Sequence, residues 1–284
     1  MLVLALVLLA ACGSTPVRED IPPFRVAAAT ANQQTTQAFA DINAFLRERQ
    51  IDRAVTQPTL NEAQFFTPLA NEDVAKWNRA FALIDAYAAS LEKLLDPQRR
   101  SDVQQELVGL GDAIGRIDGR QLPDGVAAGF STLGGLLLQM KTEQDAMAAI
   151  RRADPGVQAV FATMQTAIGT DQNDAIRGTV FTSWNQVLAQ RSLDFLRAQG
   201  SDAKRTVVQD YVATLDKRDA QDQSLASLRR SIGLLASAHS ALAAGRPEGA
   251  GAMLDMVQRE YTAWRAQREA IEKDRAAGAQ GESP

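Results

Sequence analysis

Residues 71–95 read NEDVAKWNRAFALIDAYAASLEKLL, and their spacing decides the fold class. Val74, Trp77, Phe81, Ile84, Ala88, Leu91 and Leu95 alternate by three and four, so they share one face of an α-helix. Sustained over three heptads, this is an a/d seam, the pattern of a helix packed along its length against others. Asn71 is placed to cap the helix, with Glu72 and Asp73 at the positive end of its dipole. Asp96-Pro97 ends it, because the residue before proline avoids helical geometry. The same proline suits the first position of the next helix.

Working outward, the pattern recurs. Upstream, residues 24–50 predict a helix with Phe39, Ile42 and Leu46 on one face. Its polar, threonine-containing stretch 32–37 predicts a weaker first half, since β-branched residues lose rotamer freedom in helices. Residues 51–69 contain Pro58 and Pro68 and predict mostly loop, with a short helical turn near 61–66. Downstream, Val103, Leu107, Leu110, Ile114 and Ile117 form a second stripe, closed by the turn 118–124. Residues 126–140 (VAAGFSTLGGLLLQM) carry no charge. A helix apolar nearly all round predicts the centre of a bundle. Its Gly129, Gly134 and Gly135 allow close neighbours.

Asp154-Pro155 repeats the stop-and-restart device, so a short helix is expected through Val157, Val160, Phe161, Met164 and Ile168 to Gly169. Residues 171–199 follow, with Ile176, Val180, Trp184 and Val187 on one side. Residues 201–244 predict one helix of about 65 Å at 1.5 Å per residue. Its seam is Val208, Tyr211, Leu215, Leu225, Leu228, Ile232, Leu235 and Leu242. The seam vanishes over 216–224 (DKRDAQDQS), where the helix is expected to protrude past its partners or break. After the turn at 245–247, Met253, Val257, Tyr261, Trp264 and Ile271 run back antiparallel. No stretch alternates as a strand would. The expectation is all-α: an elongated antiparallel helical bundle of about eight helices over residues 24–275. It ends in a long C-terminal helical hairpin and a disordered tail, 276–284.

Composition supports a packed body. Hydrophobic residues make up 45% of the chain and aromatics 6%, and roughly one residue in six is alanine, the best helix former. That apolar content excludes a wholly disordered chain. The net charge is −4, without the clustered basic surface that nucleic acid needs.

The chain opens MLVLALVLLAAC, with residues 2–11 apolar throughout and Cys12 the only cysteine. Ten apolar residues fall far short of the ~20 a membrane-crossing helix requires. They match the apolar core of an export leader followed by small residues. Leu9, Ala10, Ala11 and Cys12 resemble a bacterial lipobox. The resemblance covers these four residues and the run before them. The basic opening usual in such leaders is replaced here by Met1-Leu2. The resemblance implies that residues 1–11 are a lipoprotein signal peptide, with Leu9, Ala10 and Ala11 as signal-peptidase recognition positions. It implies that Cys12 carries the lipid and that the mature chain is membrane-anchored, facing the periplasm. Gly13, where Asp would favour the inner membrane, favours the outer. Residues 12–23 (CGSTPVREDIPP) then predict a polar tether. With Cys12 lipidated, no thiol remains for a disulfide.

Little else in the sequence carries chemistry. His239 is the only histidine and sits on the seam of the long helix, which reads as a half-buried structural residue. Zinc would need several carboxylates beside it. Gly109, Gly111 and Gly115 match a nucleotide fingerprint only loosely and lie in a helical pattern. Asp171 and Asp174 belong to a helix N-terminus. The pairs Arg99-Arg100, Arg151-Arg152 and Arg229-Arg230 read as solvated faces, and Trp77, Trp184 and Trp264 as core. No catalytic residue, cofactor or metal ligand is therefore assigned. The expected function is a non-enzymatic envelope scaffold or protein-interaction module with an envelope protein partner. The alternative is a binding module for a lipid or other apolar ligand beside Phe130 and Leu137. A carboxylate enzyme would need acids converging in a cleft.

Overall fold

The computed structural model describes residues 16–280, apart from 56, 66–68, 70, 95–99, 124 and 140–145. Among the described residues there are eight α-helices and no strand: α1 Pro16–Val55, α2 Asn71–Leu94, α3 Arg100–Gly115, α4 Val126–Leu138, α5 Ala146–Ile168, α6 Ala175–Arg197, α7 Ser201–Ala243 and α8 Pro247–Gln280. The protein is an all-α antiparallel bundle. No helix among the described residues is long and apolar enough to cross a membrane.

The seam of α2 is buried as its spacing predicts: Trp77, Phe81, Ile84, Ala88 and Leu91 all face the core. It runs antiparallel to α1, with Phe39 edge-on to Trp77. Nearer the start of α1, the Arg25 guanidinium reaches both Asp85 and Glu92. The centre of the bundle is α7, which touches α1, α5, α6 and α8. The expectation that 126–140 lies at the centre is corrected. Helix α4 packs only against α3 and α5 to any extent, and its outer face is Ala128, Ser131, Thr132 and Gly135. These small or hydroxylated residues meet water without needing charge.

Three other expectations change. The stretch 12–23 does not read wholly as a tether, because α1 already begins at Pro16 and holds Pro22 and Pro23 inside it. The two prolines face solvent while Ile21, Phe24, Ala27 and Ala28 are buried. Apolar burial on one face outweighs the lost backbone hydrogen bonds on the other. Likewise Asp154-Pro155 does not break the chain, and α5 is continuous from Ala146 to Ile168. Ile150 and Ala153 before the proline, and Val157 and Val160 after it, are fully buried. That packing holds both halves on one axis. At the C-terminus α8 continues to Gln280, past the expected start of the tail at 276.

The polar stretches of α1 and α7 are packed rather than loose. In α1, Gln34 and Thr35 are buried. Gln34 donates to Ser227 Oγ and accepts from Ser231 Oγ on α7, while Thr35 bonds the Ala31 carbonyl one turn back. In α7 the seam gap at 216–224 is covered by α6. Arg177 makes a two-pronged bond to Asp222, Trp184 donates to Gln221, and Arg218 lies over the Phe181 ring. The C-terminal hairpin turns at Gly245, whose φ of +69° only glycine adopts freely. The amides of Gly245 and Arg246 satisfy the carbonyls of Leu242 and Ala241, a Schellman closure of α7.

Candidate functional site

The most concentrated polar chemistry lies inside the proximal half of the bundle, around His239. On α7 the ring is buried, with 1% of its surface exposed. From α5, Asp154 Oδ1 meets Nδ1 at 2.8 Å. From α2, the fully buried Tyr87 hydroxyl meets Nε2 at 2.8 Å. Phe24 of α1 covers the ring, their centroids 5.8 Å apart. Asp154 also accepts from Gln158 at 3.0 Å and from Ser240 at 3.2 Å. Four helices thus meet at one imidazole.

The roles follow from protonation. Burial pushes the Asp154 carboxyl up, but bonds from His239, Gln158 and Ser240 outweigh it and hold it below its ordinary value of 3.8. Asp154 is therefore an anion that only accepts, so Nδ1 carries the hydrogen. Burial, and next the Asp154 charge, push the Tyr87 hydroxyl well above its ordinary range. It keeps its proton and shares one hydrogen bond with Nε2. The result is a continuous chain from Tyr87 through His239 to Asp154. Only Asp154 reaches solvent, with 21% of its side chain exposed. Ser240 bonds the carboxylate rather than the imidazole, so this is not a Ser-His-Asp nucleophile arrangement. A chain whose far members are sealed serves to lock helix register, since each partner is satisfied in one alignment only.

A pH dependence follows. A depressed carboxyl stabilises the fold above its unfolded value, and the contribution disappears as pH falls through the folded value. Glu260, held low by Arg230 and Ser227 against its burial, acts in the same direction. The melting temperature is expected to drop below about pH 4. In thermal melts across that window, Asp154→Asn is expected to fall less steeply than the parent chain.

Of the residues singled out in the sequence, His239 alone among the described ones belongs to this cluster. Leu9, Ala10, Ala11 and Cys12 are outside the described residues. His239 is fully rather than half buried. Trp77, Trp184 and Trp264 are core residues, and Trp184 stacks on Phe45 at 3.6 Å. Arg230 pairs with Glu260 and stays solvated, its side chain 57% exposed. Asp174 accepts from the Thr170 amide and Asp171 from the Asn173 amide, ordering the turn before α6. Among the described residues no three His, Cys, Asp or Glu side chains gather as a metal would require. Tyr87 and Asp154 went unrecognised in the sequence. Their signal was a polar residue set into, or beside, an apolar stripe on separate helices.

The region of Phe130 and Leu137 is filled, both side chains being buried against α3 and α5. An apolar cleft exists instead between α1, α2 and α6. It measures about 460 Å³ and is walled by Ile42, Leu46, Trp77, Ile176 and Val180, with the Lys76–Asp73 pair at its edge.

Fold and site together define an all-α bundle with a polar chain linking α2, α7 and α5 through its interior. Compared with known proteins, the chain matches no family model, no curated protein and no solved structure.

Proposed function

We propose that the protein is a non-enzymatic, membrane-anchored lipoprotein facing the periplasm, serving as an envelope scaffold or protein-interaction module. The outer membrane is favoured over the inner by Gly13. The observation that carries the reading is the apolar run 2–11 ending at Leu9-Ala10-Ala11-Cys12. The start of α1 at Pro16 adds to it, since a lipid on Cys12 would stand four residues from the folded body. Two or more acyl chains hold such an anchor firmly, at about 0.8 kcal/mol per buried methylene. In cells fed a labelled fatty acid, the parent chain is expected to take up label and sediment with membranes. The Cys12→Ser variant is expected to do neither. Equal membrane retention of the variant would overturn the reading.

A second reading, an apolar-ligand module, is favoured by the cleft beside Trp77, whose volume falls in the range of small-molecule sites. A brominated fatty acid is then expected to quench Trp77 fluorescence, and Ile176→Trp, which fills the cleft, to abolish saturable binding. Absence of saturable binding to the parent chain would remove this reading.

A further inference from the structure

The cleft between α1, α2 and α6 grades from an apolar floor to a polar mouth. Ile42, Trp77 and Val180 are buried at the floor, while Asp73, Lys76 and Thr179 reach solvent. Its walls are fastened from outside. Asn43 on α1 donates to the Leu69 carbonyl at 2.7 Å and accepts from the Leu69 amide at 3.2 Å, which holds the approach to α2 in place. The first turn of α6 is tied to α7 by the mostly buried pair Arg177 and Asp222. Beside it Ala175 holds a φ of +48°, a conformation that L side chains rarely adopt. Such strain persists only where the surroundings enforce it, and it gathers at ligand sites. The cleft is therefore preformed, as small-molecule sites usually are.

The floor sets the body of a ligand. Its walls are aliphatic apart from Trp77, whose ring already meets Phe39 edge-on. A hydrocarbon chain leaves nothing unsatisfied against such walls, whereas a polar body would lose its bonds to water without replacement. The volume of about 460 Å³ lies toward the lower end for small-molecule sites, which suits one chain rather than two.

The mouth sets the head. Its charged lining residues, among those described, are one anion and one cation, Asp73 and Lys76, bonded to each other at 3.0 Å. A carboxylate or phosphate head would lie against Asp73, and an ammonium head against Lys76. Like charges set together in this way reject the partner that brings them. A zwitterionic head would have to part the pair. A hydroxyl both donates and accepts, so it joins Lys76 and Asp73 without parting them, and Thr179 on α6 brings a further hydroxyl to the same mouth. Given that the cleft takes an apolar ligand, as the second reading above holds, we infer that this ligand is a single-chain lipid with an uncharged, hydroxyl-bearing head, such as a long-chain alcohol or a monoglyceride.

Probes of one chain length, brominated at the same carbons, test this with an alcohol, a carboxylate and an ammonium head. Titrated into the purified full chain, the alcohol is expected to quench Trp77 saturably, with the midpoints of both ions at least about tenfold higher. Asp73→Asn removes the anion from the mouth. It is expected to tighten the carboxylate probe about tenfold and to move the alcohol by less than about threefold. Lys76→Gln is expected to do the same for the ammonium probe. Both variants keep the helical circular dichroism of the parent, since neither side chain is part of the core. A carboxylate bound to the parent as tightly as the alcohol overturns the inference and leaves the cleft a ligand site. So does an ion affinity that neither variant changes. No saturable quenching by any of the three removes the second reading, and the inference with it.

Discussion

Replacing Gly156 with valine is expected to destabilise the fold by about 3 kcal/mol or more, the upper end for overpacking, because the clash is with backbone rather than side chain. A Cβ at Gly156 would lie 2.6 Å from Leu133 Cα, and one at Gly129 would lie 2.6 Å from the Val160 amide nitrogen. The contact is reciprocal. Gly129 and Leu133 are one turn apart on α4, Gly156 and Val160 one turn apart on α5. Each glycine lies under the other helix's larger residue, and the two axes can touch only while both positions lack a side chain. No rotamer change relieves such a clash, so α4 and α5 must separate and expose Phe130, Leu133, Val157 and Val160. Gly135 makes the control: it is on α4, two turns from Gly129, exposed, with no atom within 4 Å of its would-be Cβ. Gly135→Ala is expected to stabilise by up to about 1 kcal/mol through helix propensity alone. Urea unfolding followed by circular dichroism separates the two. A Gly156→Val midpoint equal to the parent's would mean that α4 and α5 do not pack this closely.

Reading these glycines from sequence alone gave permission for close contact but no address for it. The same division runs through the chain. The three-and-four alternation of residues 71–95 was legible because a helix seam is local, and Trp77 to Leu91 follow it into the core. Pro23 and Pro155 were misleading because the local cost of a proline is fixed. The burial that offsets it comes from residues far away in sequence. The polar stretch 216–224 looked like a break because its partners, Arg177 and Trp184, lie on another helix. His239 stood out as a single polar residue on a seam. Its role was invisible, since Tyr87 and Asp154 are separated from it by 152 and 85 positions. The proposed anchor is the opposite case: the lipobox resemblance lies within four residues, 9–12, and draws on no fold.

Truncating that histidine is expected to be the most damaging single change in the polar core. His239→Ala leaves the Asp154 anion without its main partner and the buried Tyr87 hydroxyl with none. Each group left without its hydrogen-bond partner costs about 1–3 kcal/mol, and the truncated ring adds a cavity. At roughly 2–4 °C per kcal/mol for a chain of this size, the melting temperature is expected to fall by about 10 °C. Tyr87→Phe removes only a neutral hydroxyl and is expected to cost about 1–3 kcal/mol. The distinguishing measurement is a cycle of variants. If the three side chains act as one unit, His239→Ala costs much less once Asp154→Ala is present, because no carboxylate is left unpaired. Replacing all three together, as Tyr87→Phe, His239→Leu and Asp154→Leu, is expected to recover most of the lost stability, since apolar side chains of similar size leave nothing unsatisfied. Simple additivity across the cycle would mean that the chain from Tyr87 to Asp154 is three separate contacts, and the register of α2, α5 and α7 would then have to be set by apolar packing alone.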